Sequence, residues 1–532
     1  MKEISKQKKR KIERTVANNR SYKVILYNRF FLFILLVMAQ IAVYVGVWTL
    51  FVYHSAVAPI LQFLLWLLSL IFVLYLINKN ERPSLKLNWV IILLLAPVFG
   101  VPFYLLNGDA RPTKRMRKKI AKAKGEIACA VSEFYGESLP AAAPEHRESG
   151  VAYFLEKYGK YSLFCDGTVD YYASGEAAFP YMLSALKEAE NFIFLEYFII
   201  KHGCMWSEIL KILLEKAEQG VQIRILYDDF GCMMSLPPKY DRYLESLHKN
   251  IRCMRFNPVL PIFAVRMNNR DHRKMLIIDG KVAFTGGINL ADEYINAKSR
   301  FGVWKDSALK VTGNAVGSFT QMFLYLWNAF YKQKENIKEY LLPHKTGKAG
   351  GQVCVQPYDD CPLDDIRVGE TVYLDAVNRA KKSLYVFTPY LILDDNMRAA
   401  LCQAALRGVD VRIVTPAVPD KKLVFRLTRA NYGILLKAGV RIYEYTPGFI
   451  HAKSMLCDGE TAVVGTINLD YRSLYFHFEN AVSFSGCQAV EDLKRDYEET
   501  FALSFERTEE NCKRSVFGRL ADALFRVFET LL

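Results

Sequence analysis

His272-Arg-Lys274-Met-Leu-Ile-Ile-Asp279, followed by Gly286-Gly287-Ile-Asn289, is written again 179 positions later as His451-Ala-Lys453-Ser-Met-Leu-Cys457-Asp458, followed by Gly465-Thr466-Ile-Asn468. Both copies obey His-x-Lys-x4-Asp-x6-Gly-x-x-Asn. The chain holds only eight histidines, so a second copy with the same offsets marks a duplication.

The repeat extends outward from the two signatures. In the first half a helical stretch ending Ala185-Leu-Lys-Glu-Ala189 leads into the strand-like Phe192-Ile-Phe-Leu-Glu-Tyr197. In the second, Asp375-Ala-Val-Asn-Arg-Ala380 leads into Leu384-Tyr-Val-Phe-Thr-Pro-Tyr390. Gly220-Val-Gln-Ile-Arg-Ile-Leu-Tyr227 is matched by Gly408-Val-Asp-Val-Arg-Ile-Val-Thr415. Helical stretches alternating with short β-branched runs predict two copies of one α/β unit related by a pseudo-twofold, over 151–331 and 353–512. Residues 109–150 and 332–352 are expected to be linkers, and 513–532 an amphipathic tail. Packing on the catalytic part is the expected use of that tail, with membrane contact the competing one.

Apolar residues make up 52% of the 532, and the excess is local. Runs at about 30–53 and 60–77 are long enough to cross about 30 Å of hydrocarbon as helices. A cleaved signal peptide fits the first run poorly: the charged leader before it is long, and no small-x-small site follows. The leader 1–29 carries ten Lys or Arg against two Glu, which places it on the cytoplasmic side. Lys79, Arg82 and Lys86 put the link after the second run on the same side. A third run, 89–106, contains Pro97, Gly100 and Pro102 and precedes eight basic residues in 111–124. A third crossing would expose those charges outside, so this run is expected to be re-entrant or interfacial within a membrane region of 30–108. The large C-terminal part is then cytoplasmic in a multi-pass plasma-membrane protein. The net charge of +15 clusters around these segments, which points to anionic lipids more than to nucleic acid. Eleven cysteines, scattered singly with no Cys-x-x-Cys, argue against a disulfide framework or a zinc site.

In each signature His and Lys alternate along an apolar strand, so both emerge on one face. The Gly lets the returning chain approach closely, and the Asn is expected to point back at the same place. Two such sets facing each other supply an attacking imidazole, a second imidazole opposite it, and ammonium groups for nonbridging phosphoryl oxygens. Lys274, Lys453, Asn289 and Asn468 then provide the electrostatic clamp that a metal often provides, so no metal or cofactor is expected. Asp279 and Asp458 complete the catalytic set of the signature, with fixing of the strand-to-turn geometry as their main expected role and direct participation as the lesser one. His54, His146, His202, His248, His344 and His477 share no such spacing and are assigned no catalytic part.

At these residues the chain resembles the phospholipase D superfamily, from about Val151 onward. Within it the chain resembles the bacterial cardiolipin synthases. The resembling stretches are Gly286-Gly-Ile-Asn289-Leu-Ala-Asp-Glu-Tyr294, Trp304-Lys-Asp306, Tyr227-Asp-Asp-Phe-Gly231, Asn468-Leu-Asp-Tyr-Arg-Ser473 and Glu479-Asn480. The apolar run from Trp89 to Gly108 is similar to the membrane segment of those enzymes. Gly287 and Thr466 depart from the wider pattern, where Ser is common. The resemblance implies duplicated α/β/α domains behind N-terminal transmembrane helices, acting on phosphatidylglycerol to give cardiolipin and glycerol. It implies a phosphohistidine on His272, proton transfer by His451, and acidic residues that orient the opposite imidazole: Glu479 for His272 and Asp306 for His451. A membrane phospholipase D or another phosphatidyltransferase, such as one making phosphatidylserine, is the alternative. A metal-independent nuclease fits two membrane anchors poorly, and an inactive scaffold does not explain intact His, Lys and Asn in both copies.

Overall fold

Two sheets with the same strand order carry the duplicated signature. The first half contains β1 (Val169–Tyr172), β2 (Phe192–Tyr197), β3 (Gln222–Asp228), β4 (Ile251–Phe256), β5 (Lys274–Ile278), β6 (Val282–Gly286), β7 (Val303–Lys305) and β8 (Ala308–Thr312). The second contains β9 (Cys354–Asp360), β10 (Ser383–Phe387), β11 (Asp410–Pro416), β12 (Arg441–Tyr445), β13 (Gly448–Ile450), β14 (Ser454–Cys457), β15 (Thr461–Gly465), β16 (Glu479–Ser485) and β17 (Ser504–Arg507). The sheets run β1-β8-β6-β5-β2-β3-β4 and β9-β16-β15-β14-β10-β11-β12, with β17 added at the edge of the second. Every strand of one therefore has its counterpart in the other. In this computed structural model the described residues are 58–95, 97–108, 111–135, 150–259, 268–342, 353–363, 366–513 and 515–526, with scattered positions between 38 and 49.

The central strands read as continuous apolar runs because both faces are covered: β2 and β5 are buried along their whole length. Parallel pairing of β2 with β3 and of β10 with β11 requires crossovers, supplied by the helices Cys204–Glu218 and Asp395–Leu406. Each signature strand lies antiparallel to the first strand of that parallel set, β5 on β2 and β14 on β10. One hydrophobic core is shared by both halves, joining Phe194, Met275 and Ile277 to Val355, Met455 and Val464. The short parallel pair β7–β13 also crosses between halves. The fold is thus a duplicated, mixed α/β arrangement.

Of the stretch expected to be a linker, 114–135 is a 22-residue helix. Ile120, Ala123, Ile127 and Val131 recur at helical spacing and are buried, and the helix packs along Val316–Phe330. The strong basic character of 111–124 hid this apolar stripe.

Ahead of it, Ala58–Asn78 is a 21-residue helix without a charged side chain, about 31 Å long at 1.5 Å per residue. The third apolar run is not one helix. Pro83–Leu95 and Pro97–Asn107 are separate, and each is too short to span hydrocarbon. They fold back on each other: Trp89 meets both Phe103 and Tyr104, with ring centroids 5.5 and 5.2 Å apart. Gly100 allows the approach, because a Cβ there would lie 2.7 Å from the Ile92 carbonyl oxygen. Both ends of this hairpin therefore lie together. No membrane-crossing helix is established among the described residues, and of the run 30–53 only scattered positions are described.

The tail forms the helix Val516–Arg526, held by an Arg426–Asp522 ion pair at 2.7 Å and by Arg526 donating to the Ala430 carbonyl at 2.7 Å. Val516, Phe517 and Leu520 remain exposed.

Candidate active site

Each histidine of the signature enters the boundary between halves and is held there by the opposite half. The His272 N–H donates to the Phe478 carbonyl at 2.8 Å, and the His451 N–H to the Lys305 carbonyl at 2.6 Å. His272 Nδ1 lies 2.9 Å from both carboxylate oxygens of Glu479, and His451 Nδ1 lies 2.7 Å from Asp306 Oδ2. The acidic partner of each imidazole thus comes from the other copy. Asn480 Nδ2 adds a further cross-half bond to Thr285 Oγ1 at 2.8 Å.

Lys274 and Lys453 each bend back to donate to the carbonyl of their own histidine, and Lys453 Nζ also lies 2.9 Å from His451 Nδ1. All four signature cations and imidazoles are buried. Burial lowers Lys274 to about 7, with Lys453 adding to the effect. Burial lowers Lys453 to about 8 against the opposing pull of Asp306 and Glu479. It also drives the imidazoles toward neutrality, His451 down to about 4 and His272 well below its ordinary value. Burial is the largest influence on the two carboxyls and raises them, but the combined pull of His451, Lys453 and the Ser307 N–H at Asp306, and of His272 and His477 at Glu479, holds both below the usual range. A neutral imidazole beside a carboxylate carries its proton on Nδ1, which leaves each Nε2 lone pair free.

The lowered lysines set a pH dependence. A cation whose pKa is depressed loses its charge earlier as pH rises, so kcat/KM should fall through pH 7–9, whereas ordinary lysines would hold it to about 10. A pH profile on vesicles of fixed composition checks this. A rate still flat at pH 10 would show that neither ammonium group is depressed by burial in the working site.

Asp279 and Asp458 stand apart from this cluster. Asp279 accepts the N–H groups of Glu190, Asn191 and Phe192, each at 2.7 Å. Asp458 does the same for Lys381, Lys382 and Ser383. They lie five residues beyond the lysines, about 16 Å along an extended strand, and brace the loops entering β2 and β10. These bonds fit the expected fixing of the strand-to-turn geometry. Asn289 is likewise engaged: Oδ1 accepts the Ile199 N–H at 2.9 Å and Nδ2 donates to the Tyr294 hydroxyl at 2.7 Å. Asn468 keeps a buried Oδ1 without a hydrogen-bond partner.

The two departures from the serine pattern have a local explanation. A Cβ on Gly287 would lie 1.9 Å from Asp306 Oδ1, so the backbone gives way to the carboxylate that holds His451. At the equivalent place Thr466 Oγ1 donates to Glu479 Oε2. Gly287→Ala should displace Asp306 and lower kcat at least about tenfold with little change in KM. Steady-state kinetics test this, and an unchanged kcat would show that Asp306 does not need its present position.

His477, assigned no catalytic part from spacing, sits in the site. Its ring centroid is 5.4 Å from that of His272, and its Nδ1 is 3.4 Å from Glu479 Oε1. His272, His477 and Glu479 bring potential ligand atoms within 4.8 Å of one another. The Glu479 oxygens are already taken up by His272 and Thr466. Sequence reasoning also passed over Arg273, the variable residue of the first signature. It points away from His272 and Lys274 to meet Glu196 at 2.5 Å and Asp271 at 3.2 Å. The upstream Asp228 has a bracing function as well: Oδ1 accepts from Phe230 and Gly231, and Oδ2 from the Asp271 N–H at 3.0 Å, one residue before His272. Phe198 beside His272, and Tyr294 and Trp304 beside His451, wall the imidazoles with rings.

Two copies of an α/β unit sharing one site of paired histidines define a phospholipase D-like protein. A family model described as cardiolipin synthase, PLD-like domain, matches residues 182–327 and 373–501. A cardiolipin synthase of Geobacillus kaustophilus is 34% identical over 471 residues, covering 87% of this chain and 92% of that protein. An uncharacterized protein of Streptococcus mutans is 42% identical over 433 residues, covering 81% of this chain and 93% of that one. A phosphatidylserine synthase of Haemophilus influenzae has a similar fold, with a TM-score of 0.55 at 14% identity over 72% of this chain and 100% of that one. The chain belongs to the cardiolipin synthase family of phospholipase D-like proteins.

Proposed function

We propose that this protein is a phosphatidyltransferase that joins two phosphatidylglycerol molecules into cardiolipin and glycerol through a phosphohistidine. Membership of the cardiolipin synthase family supports the overall reaction. The observation that carries the mechanism is the cross-half pairing of His272 with Glu479 and of His451 with Asp306. It leaves two Nε2 atoms available in one buried site beside two lysines.

In the first step His272 Nε2 attacks phosphorus, the bond to the glycerol oxygen breaks, and His451 gives that oxygen a proton. In the second the hydroxyl of another phosphatidylglycerol attacks, its proton passes to His451, and the P–N bond breaks. Lys274 and Lys453 hold the nonbridging oxygens. The phosphoryl charge itself favours protonation of His451, which burial keeps neutral in its absence. Glu479 and Asp306 position the imidazoles. The ring-walled surroundings limit water, which favours a lipid hydroxyl as acceptor.

The site would work against a bilayer. The apolar run at about 60–77 is read as an anchor of a plasma-membrane protein, the run 30–53 lying largely outside the described residues, and the catalytic halves are read at 151–331 and 353–512. The orientation is supported by Arg82, which pairs with Glu370 and lies 3.9 Å from Asp394 of the second half. The basic link after the second apolar run thus shares a side with the catalytic part, and the folded-back third run keeps 111–124 there too.

Purified protein in vesicles of phosphatidylglycerol alone, with excess chelator, tests the reading. Cardiolipin and glycerol in equal amounts are the expected products. Phosphatidic acid without cardiolipin would replace the transferase with a hydrolase, and activity lost to chelator and restored by a divalent ion would bring the His272, His477 and Glu479 cluster into the reaction as a metal site.

A further inference from the structure

Cys165 and Cys354 are far apart in sequence, yet their sulfurs lie 3.3 Å apart. The cause is a single antiparallel bridge between Phe164 and Val355. The Phe164 N–H donates to the Val355 carbonyl at 2.9 Å and the Val355 N–H to the Phe164 carbonyl at 2.8 Å. These two residues form a hydrogen-bonded pair, so the next pair outward, Cys165 with Cys354, is of the non-hydrogen-bonded kind. Facing Cα atoms of such a pair stand about 4.5 Å apart, inside the span a disulfide bridges. Phe164 and Val355 are buried and fix the register, while both cysteines are half-buried and within reach of small molecules. Gln356 strengthens the same junction by donating to the Tyr161 carbonyl at 2.9 Å.

We propose that Cys165 and Cys354 form a redox-responsive clasp between the two halves. The segment entering the first half is pinned here to β9, the edge strand of the second sheet. In a reducing compartment the pair remains two thiols. Under disulfide stress one thiolate attacks a low-molecular-weight disulfide and releases one small thiol. The second thiolate then attacks that mixed disulfide and releases the other. Two protein thiols are oxidised, one small disulfide is reduced to two thiols, and a single S–S bond joins the halves. The bond closes a sequence separation of 189 residues, so it restrains the unfolded chain strongly. It also locks together the two bodies whose apposition pairs each histidine with its carboxylate.

The test uses full-length protein in detergent micelles treated with oxidised glutathione, then alkylated and mapped by mass spectrometry without reduction. The expected result is a linked peptide containing Cys165 and Cys354 before any other cysteine pair forms. Its formation should lengthen the half-time of thermal inactivation at least about threefold. Dithiothreitol should reverse that gain, and Cys165→Ser and Cys354→Ser should each lack it. Separate alkylation of both thiols, preferential linkage of other cysteines, or a linked peptide with an unchanged half-time would each overturn the clasp.

Discussion

His272→Ala and His451→Ala are each expected to lower turnover at least about 10⁴-fold, while the protein still folds and inserts in membranes. In the proposed mechanism both histidines act on one phosphorus atom, so the double variant should be scarcely slower than either single one. The reason lies in the cross-half pairing. Removing His272 takes away the proposed nucleophile and leaves Glu479 without its main partner, whereas removing His451 takes away the imidazole that Asp306 holds. Cardiolipin formation from radiolabelled phosphatidylglycerol reads both losses. Near-normal turnover in either single variant would mean that one half works alone, and the shared site would be wrong.

The largest effect on stability is expected at Arg273. Its guanidinium is fully buried and faces Glu196, Asp271 and the Tyr325 hydroxyl, with Asp359 at 3.8 Å. Asp359 belongs to β9 of the second half and also receives Lys124 from the helix Lys114–Tyr135 at 3.3 Å. Arg273 therefore joins the first sheet to the second, and through Asp359 it is linked to Lys124 of the helix that follows the apolar region. Arg273→Ala would leave Glu196 and Asp271 buried without compensation, at a cost of about 3–5 kcal/mol. Burial already raises both of these carboxyls. Exchanging the group for neutral residues, Arg273→Met with Glu196→Gln, should recover part of that loss. Thermal inactivation of the variants measures it, and an Arg273→Ala protein as stable as the parent would refute the bridging role.

The duplicated α/β fold was legible because the signature recurs at a fixed spacing and flanking apolar runs recur with it. The strand Phe192–Tyr197 and its counterpart beginning at Ser383 follow from β-branched and aromatic runs ended by polar turns. Nothing in spacing alone pairs His272 with Glu479, since 207 residues separate them, and that link came from the family resemblance. His477 was grouped with the isolated histidines because it shares no signature spacing and the ring it faces, His272, is far away in sequence, although Glu479 is only two residues on. Arg273 was a variable letter between two functional ones. The alternation that places His272 and Lys274 on one face puts Arg273 on the other, toward the shared core, where a charge has to find carboxylates. Asp279 and Asp458 belong to the signature and were expected mainly to fix the strand-to-turn geometry. The pattern shows that a carboxylate is required but not that it caps backbone N–H groups. The helix Lys114–Tyr135 was obscured for a related reason: a run of lysines masks four apolar residues at helical spacing.

The stereochemistry at phosphorus tests the central claim most directly. Phosphatidylglycerol carrying sulfur in place of one nonbridging oxygen, in a single configuration, would be converted to the thio-analogue of cardiolipin and its configuration read out. Two in-line displacements, first by His272 and then by the lipid hydroxyl, predict retention. Inversion would mean that one lipid attacks the other directly and would contradict the covalent intermediate.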